Sequence, residues 1–252
     1  MSTVPLLRAT GVEKRFGALV AASAIDLSIA AGERVSLIGS NGAGKTTFVN
    51  MITGYLKPDA GSITLAGRDI TPLHPRAIAR LGVARSFQIP QLYPALTVLE
   101  NLLVATACQG ERLSFWKRAR RVGALRDADA LLDRFGLVEH RARRVAELPG
   151  GVRKLLDVAM ALAGRPQLLL LDEPTSGVSA EEKFPMMEII MTALRSDRMT
   201  VLFVEHDMEI VTRYADRVIA FASGRIIADA APKVALAADE VRRHVTGAPG
   251  AK

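Results

Sequence analysis

A glycine-rich stretch that ends in a lysine and two threonines is the clearest chemical feature of the chain. It covers residues 39–47 and matches the pattern G-x4-G-K-[ST] between an apolar run and a helical pattern. Glycines at this spacing let successive backbone N–H groups turn towards one anion, and the helix that follows adds its positive end. The stretch predicts a loop that binds nucleotide phosphates; the alternative, an incidental glycine-rich turn, is disfavoured by the flanking strand and helix. The loop residues are Gly39, Ser40, Asn41, Gly42, Ala43, Gly44, Lys45, Thr46 and Thr47.

Charged and hydroxyl side chains supply the rest of this predicted site. The Lys45 ammonium can neutralise β- and γ-phosphates, and the Thr46 hydroxyl can bind Mg²⁺. Asp172 and Glu173 directly follow four leucines that read as a buried strand. At the carboxyl end of such a strand, Asp172 is a candidate Mg²⁺ ligand and Glu173 a candidate general base for an attacking water. An Asp-Glu pair taken alone more often marks an exposed strand end. This alternative is disfavoured here because the same chain also has the predicted phosphate loop.

Three further side chains are weaker candidates. Gln88 and His206 each follow a predicted strand, so either can reach a γ-phosphate, a metal or a water from the same sheet edge; alone, each reads as an ordinary loop residue. Phe16 can stack on a purine, although a single Phe in an N-terminal strand is more often part of a core. The remaining histidines have no comparable placement and receive no role: His74, His140 and His244.

The elements that must position these residues alternate between short apolar runs and helical patterns, as in a parallel sheet flanked by helices. Strands are predicted at residues 34–38, 62–65, 82–87, 167–171, 200–204 and 217–221, and a hairpin turn at Ser223-Gly224 leads into a last strand at 225–228. A helix is predicted over residues 45–53, and Pro75 suits the first turn of another. Residues of about 91–164 read as a helical insert, in which the capping box Thr97-x-x-Glu100 starts an apolar helix through Val104.

Composition limits the class of protein. The chain has 252 residues, of which 49% are hydrophobic and 23% charged, which excludes intrinsic disorder. Cys108 is the single cysteine, so no disulfide forms within the chain, and a reducing compartment is expected. No run approaches the roughly 18 apolar residues that cross a bilayer, and no signal segment is recognisable. These observations predict a soluble intracellular protein.

The net charge of +7 is concentrated in two basic runs, at residues 117–121 and 141–144. A basic excess suits nucleic acid, anionic lipid or a polyphosphate ligand. A solvated helix face or loop is nevertheless the preferred interpretation of both runs, because almost no aromatic residues interleave with them to form a stacking surface. No nucleic-acid partner is therefore expected.

In motif order, the chain resembles the nucleotide-binding subunits of ABC transporters over essentially its whole length. The phosphate loop, Gln88, a degenerate signature at residues 148–152, Asp172-Glu173 and His206 follow one another as in that family. The resemblance implies an α/β P-loop NTPase of the ABC type, with a RecA-like core, an antiparallel β subdomain and an inserted helical subdomain. It also implies ATP and Mg²⁺ as cofactors, a head-to-tail dimer over two ATP molecules, adenine stacking on Phe16, and a switch role for His206.

On this resemblance, one ATP-binding domain covers residues 1–252. Its core would comprise residues of about 1–90 and 165–230, its helical subdomain about 91–164, and its C-terminal helical tail about 231–252. Residues 83–93, 96–104 and 204–208 look more specifically like the G-subunit ATPase of branched-chain amino acid importers. That wider group also handles urea and amides, and the lipopolysaccharide-export ATPase is a related type, so these alternatives remain open.

The chain departs from the family at its signature and in the loop after Glu173. The usual Leu-Ser-Gly-Gly-Gln is here Leu148-Pro149-Gly150-Gly151-Val152. Basic residues that usually follow are replaced by Leu155 and Met160, and Ser179 stands where Asp or Asn is usual. Pro149 offers neither a hydroxyl nor an N–H, although a proline is tolerated at a helix start.

Membrane import powered by ATP is the leading hypothesis for function. The implied partners are a second and different ATPase chain, membrane permeases and, indirectly, a periplasmic solute-binding protein, at the cytoplasmic face of the inner membrane. A soluble ABC ATPase of DNA repair would need zinc-binding cysteines or long coiled coils, and one in translation would carry two cassettes. A non-hydrolysing regulatory subunit fits poorly with Glu173 and His206.

Overall fold

The structure, a computed structural model, describes residues 4–107, 118–195 and 199–247. Cys108 and Lys117 lie outside these ranges. The strands are β1 (Leu7–Phe16), β2 (Leu19–Ile29), β3 (Arg34–Gly39), β4 (Ala60–Leu65), β5 (Arg68–Asp69), β6 (Val83–Ser86), β7 (Leu168–Asp172), β8 (Thr200–Val204), β9 (Arg217–Ala222) and β10 (Arg225–Ala230).

Three of the described helices follow one another between β6 and β7. The helices are α1 (Lys45–Ile52), α2 (Pro75–Arg80), α3 (Val98–Ala107), α4 (Arg118–Arg134), α5 (Gly150–Leu162), α6 (Ala180–Arg195), α7 (Met208–Tyr214), α8 (Pro232–Ala237) and α9 (Asp239–Val241). Single 3-10 turns occur at Val138–His140 and Val145–Glu147, and α9 continues into a π-helical turn at Arg242–Thr246.

The chain divides into two compact units, Met1–Val83 with Thr200–Lys252, and Ala84–Met199. The first unit contains an antiparallel sheet in the order β2-β1-β4-β5. In the same unit β3 lies between β8 and β9 and runs parallel to both, while β10 pairs antiparallel with β9. A parallel pair buries both faces of its strands, which explains why β3 and β8 are almost continuously apolar.

Apolar packing on β9 joins the C-terminal elements to this first unit. Ile38, Val218 and Ala220 form a buried cluster with side chains of α7, α8 and α9. The Phe48 ring of α1 packs against that of Phe221, with ring centroids 5.7 Å apart. Burial of this kind contributes about 25 cal/mol per Å² of apolar surface, so α1 is held where the phosphate loop ends.

The second unit contains the neighbouring strands β6 and β7 and the helices α3 to α6. Its predicted capping box is confirmed, because the Thr97 N–H donates to Glu100 Oε2 (2.7 Å) and the Glu100 N–H donates to Thr97 Oγ1 (3.2 Å). The helix it starts extends past the predicted Val104 and is described as far as Ala107, the last residue of that described range.

Surface ion pairing accounts for part of the second basic run. Arg141 Nε donates to Asp129 Oδ1 at 3.0 Å, and Arg143 donates to the carbonyl of Glu147. Arg144 is exposed. These contacts favour the solvated-surface interpretation. No helix in the described ranges is both long and apolar enough to cross a membrane.

Candidate functional site

The phosphate loop forms between β3 and α1, as predicted, and its glycines are there for geometric reasons. Gly39 has φ +152° and Gly44 has φ +106°, both in the region that side-chain-bearing residues avoid. A Cβ on Gly39 would lie 2.5 Å from the Phe221 carbonyl oxygen, and one on Gly44 would clash with the Ala21 carbonyl. The loop therefore closes only with glycine at both positions.

The Lys45 side chain lies within this loop. Its side chain is buried, and Nζ donates to the carbonyls of Gly39 (2.6 Å) and Ser40 (3.0 Å). Helix α1 begins at Lys45 with no side-chain cap on its N-terminal amides, and Thr46 is exposed. Uncapped amides, a fixed ammonium and an exposed hydroxyl are the donors that a nucleotide triphosphate needs, so these residues fit one.

The β9–β10 hairpin braces the loop from the far end of the chain. The Gly224 N–H donates to the Ala43 carbonyl at 3.0 Å, and the Ser23 N–H donates to the Gly224 carbonyl at 2.8 Å. This hairpin turn therefore joins the phosphate loop to β2 through backbone hydrogen bonds.

His206 lies at the same edge of the parallel sheet as the loop. Val204 at the end of β8 pairs with Leu37 of β3, and His206 follows two residues later, exposed. Phe16 ends β1 with half of its surface exposed, which contradicts the core alternative for this residue. Stacking on a base requires an aromatic ring that is not buried in a core, and Phe16 meets this requirement.

In the second unit, Asp172 and Glu173 come at the end of β7, whose four leucines are fully buried as predicted. Asp172 is largely buried and Glu173 is partly buried, and Glu173 has φ +49°, a left-handed backbone that a glutamate rarely adopts. Gln88 Nε2 donates to Glu173 Oε2 at 2.8 Å, and Lys154 Nζ donates to the Glu173 carbonyl at 2.9 Å. The structure therefore brings together Gln88 and Glu173.

Sequence reasoning missed Arg85 and Asp157, which anchor the surroundings of Gln88. Arg85 Nη2 donates to Asp172 Oδ2 at 2.6 Å. Asp157, buried in α5, accepts from the Ser86 hydroxyl (2.6 Å) and the Gln91 N–H (3.0 Å). A single carboxylate inside the apolar run of α5 was the available signal, because such a group is rarely buried without hydrogen-bond partners.

Burial raises the pKa of Asp157 above its ordinary value, although hydrogen bonds from Ser86, Gln91 and Phe87 and the charge of Lys154 oppose the rise. Between the unfolded pKa of about 3.9 and the higher folded pKa, the folded state binds more protons than the unfolded state. The contribution of Asp157 to stability therefore falls as pH rises through that window.

We expect the Oδ1 of Asp157→Asn to accept from the Gln91 N–H and its Nδ2 to donate to the Ser86 hydroxyl oxygen. This variant should gain stability relative to wild type as pH rises through this window. Asp157→Ala should lose about 1–3 kcal/mol for each donor left without an acceptor. Urea unfolding of the three proteins from about pH 4 to pH 8 measures both effects. A difference between Asn variant and wild type that does not change with pH would contradict the expectation.

The altered signature starts a regular helix. Pro149 occupies the cap position before α5, with φ −57°, so the proline is tolerated as predicted. Gly150 and Gly151 have open space where a Cβ would lie. Ser179 is exposed before α6, and its hydroxyl donates to Glu182 Oε2 at 3.0 Å. Leu155 is buried, and Val152 and Met160 are half-buried, so these apolar replacements pack against neighbouring residues.

The donor set suits magnesium rather than a tightly caged metal. In the described ranges no group of three or more His, Cys, Asp or Glu side chains could hold a metal ion. Mg²⁺ is usually bound through one or two protein oxygens together with substrate phosphates and waters. The exposed Thr46 hydroxyl and the Asp172 carboxylate fit that pattern chemically.

Comparison with known proteins gives the class directly. The sequence profile of the ABC transporter family matches residues 22–176. The chain belongs to this family, and it is an ATPase whose ATP hydrolysis is coupled to transmembrane transport.

Particular relatives are similar over nearly the whole chain. The high-affinity branched-chain amino acid transport ATP-binding protein LivG of Salmonella typhimurium is 38% identical over 237 residues, which are 91% of this chain and 92% of LivG. BraF of Pseudomonas aeruginosa, with the same description, is 35% identical over 91% of this chain and 92% of its own. The crystal structure of an ABC transporter cassette in its ADP conformation superposes with TM-score 0.80 at 32% identity, covering 93% of this chain and 94% of that one. The α/β P-loop fold of the ABC type is thereby confirmed.

Proposed function

We propose that this chain powers the uptake of branched-chain or closely related amino acids as the G-type ATPase subunit of an importer. The observation that carries the proposal is its 38% identity to LivG over nine-tenths of both chains. The intact phosphate loop supports nucleotide binding, and the Gln88–Glu173 contact supports hydrolysis because it holds the candidate general base.

In this proposal the residues divide by role. Lys45 and the loop amides bind the phosphates, Phe16 stacks on adenine, and His206 senses the γ-phosphate. Thr46, Asp172 and Gln88 would hold the Mg²⁺ that accompanies ATP, and this ion would neutralise developing phosphate charge. Each role rests on the position of the residue in the family motifs and on the contacts described within its own unit.

Glu173 acts as general base in the hydrolytic step. A water oxygen attacks the γ-phosphorus while the bond from that phosphorus to the β–γ bridging oxygen breaks, and ADP leaves with the bonding electrons. The proton lost by the water passes to the Glu173 carboxylate. Gln88 holds this carboxylate through its 2.8 Å hydrogen bond, which limits the orientations that it samples.

The segment after β6 is the proposed contact with a membrane permease. Ile89 and Tyr93 are strongly exposed for apolar residues, at 75% and 49%, directly after Gln88. An exposed apolar segment beside Gln88, which contacts the proposed base Glu173, suits coupling, because coupling requires an element that responds to one site and contacts the other. The alternative is a plain connector between strand and helix.

Crosslinking tests this contact together with the function. The native complex would be isolated by pull-down, its subunits identified, and crosslinks mapped from residues 88–105. Crosslinks to a permease, with ATP-dependent uptake of leucine by the complex in proteoliposomes, support the proposal. Crosslinks solely from the C-terminal helices, or uptake of urea or amides in place of leucine, would contradict it.

The second ATPase subunit is proposed to be a different chain. The residues altered from the family pattern, Pro149, Val152 and Ser179, are those that act across the dimer interface in the family arrangement. A homodimer would place two altered signatures over two intact phosphate loops. A partner with an ordinary signature would complete the site built on this chain and leave the other site weak, by about 10–100-fold if one phosphate contact is lost in the transition state.

Mixed dimers with one disabled base test this asymmetry. We expect Glu173→Gln in this chain to abolish most ATP turnover of the pair, and the equivalent change in the partner to have little effect. Steady-state ATPase assays of both mixed dimers give the comparison, with the unmodified pair as reference. Equal losses, or robust turnover by this chain alone, would refute the asymmetry and favour the alternative that Gly150 and Gly151 suffice.

The proposed location is peripheral, at the cytoplasmic face of the membrane that contains the permease, with a periplasmic solute-binding protein as indirect partner. The support is the named transport function of the relatives.

A further inference from the structure

Arg85 and Asp172 form an ion pair that is almost fully shielded from solvent. Arg85 lies on β6 and Asp172 ends the neighbouring strand β7. The distance from Arg85 Nη2 to Asp172 Oδ2 is 2.6 Å, and the two side chains are only 8% and 11% exposed. The guanidinium also lies over the Phe87 ring, 4.7 Å from its centroid. The guanidinium is therefore fixed by a ring on one side and directed at a carboxylate on the other.

In these surroundings Arg85 strongly influences the orientation of the Asp172 carboxylate. A hydrogen bond from a charged donor is shorter and stronger than one between neutral groups, so it fixes the carboxylate oxygen that accepts it. A guanidinium is always charged and stacks on aromatic rings, which a lysine ammonium does less well. The described contact engages Oδ2, so one carboxylate oxygen is held and the orientation of the other is set.

We propose that Arg85 is a positioning residue for Asp172, which holds this carboxylate in the orientation required by the Mg²⁺ that accompanies ATP. The inference rests on the proposed function, in which Asp172 binds this ion. It predicts that loss of Arg85 weakens Mg²⁺-dependent binding of ATP and leaves binding without Mg²⁺ nearly unchanged.

The test uses the full chain and a fluorescent ATP analogue, with Mg²⁺ titrated from an EDTA-treated start. Arg85→Met should raise the Mg²⁺ concentration for half-maximal binding by about 10-fold or more, since charge-assisted contacts are the stronger class of hydrogen bond. Its affinity for the analogue in EDTA should change by less than about 2-fold. Arg85→Lys should fall between Met variant and wild type, and it provides the measurement if the Met variant does not fold.

Two comparisons make the result specific. Arg34→Met removes a different Arg–Asp ion pair, with Asp216 in the first unit, and should leave the Mg²⁺ dependence unchanged. In Asp172→Asn, adding Arg85→Met should cause no further shift in Mg²⁺ dependence, because the partner charge is already absent.

The outcomes separate the two proposals. If Asp172→Asn leaves the Mg²⁺ dependence unchanged, Asp172 is not a ligand and the metal role in the proposed function fails. If Asp172→Asn shifts it but both Arg85 variants match wild type, the positioning role alone is overturned. Two further results would also overturn the positioning role. In one, Arg85→Met loses affinity for the ATP analogue equally with and without Mg²⁺; in the other, it reaches half-maximal binding at a lower Mg²⁺ concentration than wild type.

Discussion

Glu173→Gln should bind ATP and almost fail to hydrolyse it. Glutamine preserves the shape of the side chain and can still accept the hydrogen bond from Gln88, but it cannot take a proton from water. Positioned acid–base groups contribute roughly 10²–10⁴-fold to rate, and a loss in that range is expected in phosphate-release assays of the transport complex. Nucleotide affinity, measured on the same preparation, should stay near that of wild type.

A matched control separates the base from a general effect of charge. Glu181→Gln removes an exposed carboxylate from the first turn of α6 and should leave turnover unchanged. A loss of less than about threefold in Glu173→Gln would exclude Glu173 as the base, whatever its position after β7.

Lys45→Ala should impair the binding of ATP itself. The ammonium is buried in the phosphate loop, where the Gly39 and Ser40 carbonyls hold it, and charge-assisted hydrogen bonds contribute about 1.5–3 kcal/mol each. Loss of one such phosphate contact lowers affinity by about 10–100-fold, measurable by titration calorimetry.

Lys57 offers a close control within the same unit. Its ammonium also donates to two backbone carbonyls, those of Thr71 and Leu73, but outside the phosphate loop. Lys57→Ala should therefore lower the unfolding temperature and leave ATP affinity intact. If Lys45→Ala behaves in the same way as Lys57→Ala, Lys45 is a structural residue and not a phosphate ligand.

The sequence predicts those parts of the fold that depend on local chemistry. The phosphate loop, the buried strand before Asp172, the capping box at Thr97 and the hairpin turn at Gly224 each follow from residue types at fixed spacing. Their physical determinants lie within a few residues of one another, so a single stretch of sequence contains all the information.

Contacts between distant residues could not be predicted in this way. Arg85 and Asp172 are separated by 87 positions, and Ser86 and Asp157 by 71. Nothing near Arg85 distinguishes it from a surface arginine, because its partner is chosen by the pairing of strands and not by neighbouring residues. For the same reason, the sequence alone could not predict that Phe16 is exposed. That exposure depends on how the strands of its sheet are arranged around the end of β1.

The backbone hydrogen bond from Gly224 to the phosphate loop also affects when, during synthesis of the chain, this loop can reach its final structure. Residues 39–47 leave the ribosome early, but the strands on both sides of β3 and the turn that braces Ala43 belong to the last quarter of the chain. Parallel pairing over such separations forms late, because the chain between the partners must be ordered first. A growing polypeptide that already carries Lys45 is therefore expected to remain unable to retain ATP until β9 and β10 have emerged from the ribosome.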